Sequence, residues 1–124
     1  MKKQPIRIMV VEDEILVGIM IAKKLRAFGY DVRDVITSGE EAIDQAGYDQ
    51  PQVILMDVTL SGSINGLQAA RQIKVKYNIP IILFSGYNKE DLAKEAEKIE
   101  PVAIVSKMGS IAELQAAIEK AVAG

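Results

Sequence analysis

Five short apolar runs recur along the chain, at residues 6–12, 30–36, 53–57, 80–85 and 102–106. Runs of this length that are rich in β-branched side chains are typical of strands, and the unbroken runs are typical of strands buried on both faces of a sheet. Each run is followed by a segment whose apolar residues recur with helical spacing. Strands that alternate with helices predict one parallel sheet with helices on both faces, so we expect a doubly wound α/β fold.

The predicted helices are 14–28, 39–47, 66–77, a helix that begins near Asn88 and a helix that begins after Ser110. In the first helix, the spacing predicts a buried stripe of Val17, Ile21, Leu25 and Phe28. Ser38 and Ser110 each begin the pattern S-x-x-E, which is typical of a helix capping box. A chain of 124 residues without a linker or repeat is expected to form a single domain over residues 1–124.

The composition excludes several kinds of chemistry. The chain has no cysteine and no histidine, which excludes disulfides, thiolate nucleophiles, a Ser-His-Asp triad and metals held by Cys or His. The formal net charge of −2 gives no electrostatic basis for binding nucleic acid or an anionic membrane. No apolar stretch reaches the ~20 residues of a membrane span and no signal peptide is recognisable, so a cytoplasmic location is expected.

Charged side chains lie at the ends of three of the five predicted strands: Glu12-Asp13-Glu14, Asp57 and Ser106-Lys107. The fourth strand ends in Ser85, and the second is followed by Thr37-Ser38, which adds nothing distinctive. Ligands of open parallel sheets bind outside the carboxyl ends of the strands, where these residues would meet. A carboxylate that ends a buried strand, as Asp57 does, is costly unless a neighbouring group stabilises it. We therefore expect these strand ends to form one site.

The chemistry of such a site follows from its residue types. Clustered carboxylates repel one another, and a hard divalent cation such as Mg²⁺ relieves that repulsion. A metal, a lysine and a hydroxyl around one carboxylate can stabilise a phosphoryl group during its transfer to that carboxylate. Because an aspartate can be the nucleophile and form an acyl phosphate, Asp57 is predicted to be a phosphorylation site.

The same residues resemble a known family. VVEDE at residues 10–14, the strand that ends in Asp57, Ser85-Gly86 and Lys107 resemble, at these spacings, the receiver domains of two-component response regulators. The resemblance covers essentially the whole chain. It implies a flavodoxin-like, five-stranded parallel sheet of order 2-1-3-4-5. It also implies a signalling domain rather than an enzyme, one that takes part in its own phosphorylation and dephosphorylation.

By that resemblance, Asp13 and Asp57 would bind Mg²⁺ or Mn²⁺ directly, and the backbone carbonyl of Thr59 would be a third ligand. Glu12 would act mainly through water. The phosphoryl group would reach Asp57 from a phosphohistidine of a sensor histidine kinase or a phosphotransfer protein. The resemblance therefore implies a metal-dependent phosphorelay.

The resemblance also implies how the phosphoryl group is sensed. Lys107 would pair with Asp57 at rest and with the phosphoryl oxygens afterwards. Ser85 would be the switch hydroxyl that moves to bind the phosphoryl group, and Gly86 would be the small residue that leaves room for it. Phosphorylation would in this way change the binding of other proteins.

The sequence departs from the family pattern at several positions. The usual aromatic switch residue of the fifth strand is replaced by Ile104, which has neither a ring nor a hydroxyl, and Tyr87 is a candidate substitute. The loop after Asp57 has Ser61 where proline is usual, and it looks one residue longer than usual before Gly66. These departures point to an atypical switching mechanism.

Receivers often contact partners through the face formed by their fourth helix, fifth strand and fifth helix. The resemblance implies that a downstream protein, or a second receiver in a homodimer, binds there. The chain stops just after the fifth predicted helix, so we expect either a single receiver without an output domain or a piece of a longer regulator or hybrid kinase.

Three alternative functions compete with this interpretation. A degenerate receiver that acts as an unphosphorylated scaffold stays open because of Ile104 and the altered loop. An aspartyl-phosphate phosphohydrolase normally needs a second Asp two residues after the nucleophile, where this chain has Thr59. A nucleotide or flavin binder is disfavoured, because no G-x-G-x-x-G follows the first strand and no P-loop is present.

Overall fold

The computed structural model describes residues 4–60, 62–86, 94–97, 99–107 and 109–123. The strands and helices whose bounds lie within these residues are numbered in chain order. They are β1 (Arg7–Val11), α1 (Ile15–Ala27), β2 (Asp31–Ile36), α2 (Gly39–Asp49), β3 (Val53–Asp57), α3 (Gly66–Tyr77), β4 (Ile81–Ser85), β5 (Ala103–Ser106) and α4 (Ile111–Ala123). Across the described residues, every helix is too short or too polar to cross a bilayer.

The five strands form one sheet of order β2-β1-β3-β4-β5, and every neighbouring pair is parallel. The predicted α/β fold and strand order are therefore confirmed. The chain reverses its direction of winding between β1 and β3, which lie side by side. In folds of this kind, the crevice outside the carboxyl ends of such neighbouring strands is where ligands bind.

Two apolar clusters fill the two faces of the sheet. Side chains of a strand alternate between faces, so Ile54 and Met56 lie in the cluster beneath α2 and α3. Val53 and Leu55 of the same strand lie in the cluster beneath α1 and α4. Because β3 is buried on both faces, its carboxyl end at Asp57 is the place where the strand can present a side chain to a ligand.

Helix α1 faces the sheet with smaller residues than the sequence predicted. Its buried residues are Gly18, Ala22 and Leu25, so only Leu25 of the predicted stripe is fully buried. A β-carbon at Gly18 would lie 2.5 Å from Cγ1 of Val35, which shows how closely the helix backbone approaches β2. The prediction that Phe28 is buried was wrong, since the helix ends one residue earlier and this side chain is 51% exposed.

The helix starts agree with the predicted caps. Oγ of Ser38 accepts a hydrogen bond from N of Glu41 at 3.2 Å, and Oγ of Ser110 accepts one from N of Glu113 at 3.2 Å. Each bond satisfies a backbone donor that the first turn of a helix leaves unpaired. The end of α2 was predicted too early, because the helix continues past Gly47 to Asp49.

The predicted helix after Asn88 lies largely outside the described residues. Residues 94–96 are helical. Ala96 and Ile99 are buried, as predicted, in the cluster beneath α2 and α3. Leu92, the other predicted core residue of this segment, is outside the described residues.

The loop from β3 to α3 packs against the end of β3. A β-carbon at Gly66 would lie 1.9 Å from the carbonyl oxygen of Asp57 and 2.8 Å from Cα of Val58, so no side chain fits there. Asn65 and Gln68 form a capping box, in which each side chain accepts a hydrogen bond at 2.9 Å from the other residue's backbone N–H. The start of α3 is thereby fixed against the candidate site.

We expect Gly66→Ala to lower the free energy of unfolding by roughly 1–3 kcal/mol or more, because the added methyl group overlaps backbone atoms that cannot rotate away. Urea denaturation measures the change. The control is Gly47→Ala in α2, where the nearest obstacle is the hydroxyl of Tyr77 at 2.5 Å, the end of a side chain that can move. Equal losses in the two variants would contradict the assigned role of Gly66.

Candidate functional site

The carboxyl ends of three strands bring three charged side chains together. Asp57 is the last residue of β3, and Glu12 and Lys107 directly follow β1 and β5. Backbone hydrogen bonds extend the sheet past the strand ends: N of Glu12 donates to O of Ile36 at 2.8 Å, and N of Lys107 donates to O of Ser85 at 2.9 Å. The rigid sheet therefore sets the positions of these residues, as the sequence predicted.

Lys107 forms ion pairs with two buried carboxylates. Its Nζ donates to Oε1 of Glu12 at 2.8 Å and to Oδ2 of Asp57 at 3.2 Å. The side chains of Glu12 and Asp57 are 0% and 1% exposed, and that of Lys107 is 21% exposed. The pair with Asp57 was predicted and the shorter bond to Glu12 was not, because the sequence gives no distances across the sheet.

Thr59 holds the other oxygen of the Asp57 carboxylate. Its backbone N–H and its Oγ1 both donate to Oδ1 of Asp57, each at 3.0 Å. Oδ2 is left to Lys107, so each carboxylate oxygen has its own donors. The orientation of the Asp57 carboxylate is therefore fixed before any ligand binds.

The electrostatic state of the two carboxyl groups differs. Burial, and then the neighbouring Asp57 carboxylate, raise the pKa of Glu12 from 4.5 to about 7. Burial opposes ionisation of Asp57 as well, but a hydrogen bond from Glu12, the N–H of Thr59 and the charge of Lys107 together lower its pKa. Near neutral pH, Asp57 is therefore the ionised partner, and Glu12 is partly protonated.

Lys107 keeps its charge in this site. Burial alone would lower the pKa of Lys107, but the hydrogen bond to Glu12 and the charge of Asp57 outweigh it, so the pKa is raised. The ammonium also lies 5.1 Å from the centre of the Phe84 ring, where the ring's negative face favours a cation. A permanent positive charge therefore stands beside the Asp57 carboxylate.

Three carboxylates fit a divalent cation. Glu12, Asp13 and Asp57 each present one oxygen, and these oxygens lie within 4.8 Å of one another. Oε2 of Glu12 is buried and has no hydrogen-bond partner among the described residues. Oxygen ligands of this kind suit Mg²⁺, whose charge would compensate the buried acids. The backbone carbonyl of Thr59 stays a predicted ligand.

Two of the predicted sensing residues, Ser85 and Gly86, lie at the carboxyl end of β4. Ser85 is buried and ends β4, where it stands in register with Ser106 of β5. Gly86 follows it on the surface. Ile104 is half-buried and packs against the cluster beneath α2 and α3. Tyr87 lies outside the described residues.

Two residues near the site were not predicted from the sequence. Gly66 is needed for the close approach to Asp57 described above. Oε1 of Glu40, in the first turn of α2, accepts hydrogen bonds from Oγ of Ser63 at 2.9 Å and from N of Ile64 at 3.1 Å. The extra length of the loop signalled an unusual conformation, but nothing in the sequence indicated which residue holds it.

Comparisons with known proteins identify the family of this chain. The family model described as "Response regulator receiver domain" matches residues 8–119. The "Transcriptional regulatory protein PdtaR" of Mycobacterium tuberculosis is 33% identical over 118 residues, which are 95% of this chain and 57% of that protein. The chain thus spans little more than half the length of this relative.

Solved structures show the same architecture. A two-component response regulator of the LuxR family from Aurantimonas sp. SI85-9A1 is 30% identical, with a TM-score of 0.87 and coverage of 97% of this chain and 86% of that one. The signal receiver domain of a modulated diguanylate cyclase from Desulfovibrio desulfuricans G20 is 28% identical, with a TM-score of 0.86 and coverage of 94% and 92%. With this fold and the match over residues 8–119, the chain belongs to the response regulator receiver domains, the signalling modules of two-component systems.

Proposed function

We propose that Asp57 accepts a phosphoryl group from a phosphohistidine of a histidine kinase or a phosphotransfer protein, in a Mg²⁺-dependent reaction. The observation that carries the proposal is the Asp57 carboxylate itself. It is buried, ionised and oriented by Thr59 on one oxygen and by Lys107 on the other. A buried carboxylate held in one orientation is suited to in-line attack on a phosphoryl group.

The chain's own residues would supply the nucleophile, the lysine and the metal ligands for the transfer. One oxygen of Asp57 attacks phosphorus, the bond between phosphorus and the donor's imidazole nitrogen breaks, and an acyl phosphate forms on Asp57. Lys107 is already charged and would pair with the new phosphoryl oxygens. Asp13, Asp57 and the carbonyl of Thr59 would hold Mg²⁺, with Glu12 acting through water. The cation would neutralise charge on the transferring phosphoryl group.

The response to phosphorylation would begin at Ser85. Its hydroxyl ends the strand next to β3 and would turn toward the phosphoryl group, with Gly86 leaving space. Ile104 cannot report this movement by rotation of a ring. We propose that the change is passed on through Tyr87 and through β5.

Exposed apolar side chains mark where the phosphodonor would dock. Ile15, Leu16, Ile19 and Met20 lie on α1, which begins three residues after Glu12, and Leu16 and Met20 are 74% and 59% exposed. Apolar patches next to a reactive group are common interaction sites. A downstream protein, or a second receiver, would use the separate face formed by the predicted helix after Asn88, β5 and α4.

We propose further that the chain acts as a signalling domain in the cytoplasm and changes protein contacts, without binding nucleic acid or membranes itself. PdtaR is named a transcriptional regulatory protein, but the matched part is 57% of its length. A phosphohydrolase is disfavoured, since the hydroxyl of Thr59 is bonded to Asp57 and is no acid. An unphosphorylated scaffold is the main alternative.

Intact mass spectrometry tests the phosphoacceptor. After incubation with Mg²⁺ and acetyl phosphate, the wild type should gain the mass of one phosphoryl group that base removes, and Asp57→Asn should gain none. Asp44→Asn, an exposed carboxylate on α2, is the control and should behave as the wild type. Beryllofluoride, a phosphoryl mimic, should bind the wild type; failure of both reagents would favour the scaffold.

Thermal unfolding tests the metal site. Mg²⁺ at about a hundredfold excess over its Kd should add about 2.7 kcal/mol to the free energy of unfolding of the wild type. Asp13→Asn and Asp57→Asn should lose most of that gain, whereas Asp44→Asn should keep it. If the melting temperature of the wild type is the same with and without Mg²⁺, the proposed ligands are contradicted.

The raised pKa of Glu12 makes the stability of the metal-free chain depend on pH. In the folded chain, Glu12 keeps its proton up to about pH 7. In the unfolded chain, the same group releases its proton near pH 4.5. The contribution of Glu12 is therefore complete below 4.5 and is lost as the pH rises through about 7. Asp57 has a lowered pKa, so its contribution changes only at more acidic pH.

Urea denaturation in the presence of a chelator should show this loss between about pH 5 and pH 8. Glu12→Gln, which cannot ionise, should give a flatter profile over the same range. Added Mg²⁺ should reduce the slope of the wild type, because the cation replaces the proton. A variant whose slope matches that of the wild type would refute the assignment to Glu12.

A further inference from the structure

Glu40 joins the start of α2 to the loop that follows Asp57. Its Oε1 accepts hydrogen bonds from Oγ of Ser63 at 2.9 Å and from N of Ile64 at 3.1 Å. The bond from Ser63 is the main cause of a lowered pKa of the Glu40 carboxyl, so this group is ionised when it binds the loop. Hydrogen bonds to a charged acceptor are stronger than hydrogen bonds to a neutral one.

Packing supports the same contact. A β-carbon at Gly39 would lie 2.8 Å from Cγ1 of Ile64, so the first turn of α2 has no room for a side chain between itself and the loop. Gly62 has φ of 115°, a left-handed conformation that favours glycine, and a β-carbon there would lie 3.8 Å from Oε2 of Glu40. The loop is therefore shaped to meet this carboxylate.

The contact is connected to the site through the loop's other end. The described loop residues run from Val58 to Leu60 and from Gly62 to Asn65. At one end, Thr59 donates two hydrogen bonds to Asp57. At the other end, Ile64 is held by Glu40 and Gly66 lies against the carbonyl of Asp57. A loop tied at both ends keeps the backbone of Thr59 in place.

We propose that Glu40 is a positioning residue for the metal site: by holding Ser63 and Ile64, it keeps the carbonyl of Thr59 where Mg²⁺ would bind. The proposal rests on the proposed function, which names that carbonyl as a ligand. Glu40 itself neither touches the phosphoryl group nor binds the metal. Preorganising a loop lowers the cost of ordering it when the ligand binds, so its loss weakens binding.

The experiment measures the Kd for Mg²⁺ alone, by calorimetric titration of the full chain. Glu40→Ala should bind Mg²⁺ roughly three- to tenfold more weakly than the wild type, as expected for the loss of hydrogen bonds at an exposed site. Glu40→Gln keeps an acceptor oxygen and should restore binding to within about twofold. Ser63→Ala removes one donor and should reproduce part of the loss.

Glu41→Ala is the matched control. Glu41 is exposed in the same first turn of α2, so its loss changes the net charge and the helix-end charge as the Glu40 substitution does. No side-chain bond from Glu41 to the loop is found among the described residues. Glu41→Ala should therefore bind Mg²⁺ as the wild type does.

Amide NMR of the metal-free chain gives a second readout. The N–H signals of Thr59 and Gly66 should shift in Glu40→Ala and stay in place in Glu41→Ala. Wild-type Mg²⁺ affinity in Glu40→Ala, or equal losses in both variants, would overturn the proposal. A wild type that binds no Mg²⁺ would instead overturn the proposed function, while unshifted Thr59 signals in Glu40→Ala would refute the coupling by themselves.

Discussion

The structure of the site depends on two carboxylates, Glu12 and Asp57, that are buried beside each other at the end of a parallel sheet. Removing such groups from water is costly, and the cost is offset here by Lys107, which bonds to both at 2.8 Å and 3.2 Å. One positive charge cannot compensate two buried acids, so the pKa of Glu12 rises to about 7 and a proton completes the balance. A divalent cation would take the place of that proton, so the same imbalance would favour binding of the proposed metal.

The rest of the molecule supports this arrangement. Gly18 allows α1 to lie against β2, and Gly66 allows the loop after β3 to return to the carbonyl of Asp57. Packed helices and the loop after β3 therefore support the described backbone around Asp57. Little reorganisation would then accompany the proposed phosphoryl transfer, and preorganised groups of this kind are the usual source of electrostatic catalysis. Glu40 extends the support to α2, on the opposite side of the loop.

The absence of an aromatic ring at residue 104 changes how phosphorylation would be transmitted. Ile104 is half-buried and packs on the same cluster as Ala96 and Ile99. A change at Ser85 would reach the neighbouring strand through the paired backbones of β4 and β5. Transmission by this route would not need a rotating side chain, since small shifts of packed elements can also switch a surface.

The sequence by itself determined the fold class, the strand ends that carry charge and the family. Apolar runs and helical spacing are local properties, and the rule that parallel strands end at one edge converts them into a site containing Glu12, Asp57 and Lys107. Only the tertiary structure decided that Lys107 lies nearer to Glu12 than to Asp57, that Phe28 is exposed, and that Glu40 holds the loop at Ser63 and Ile64. Those results depend on distances between residues far apart in the chain, and such distances follow from how the helices pack on the sheet rather than from any local pattern.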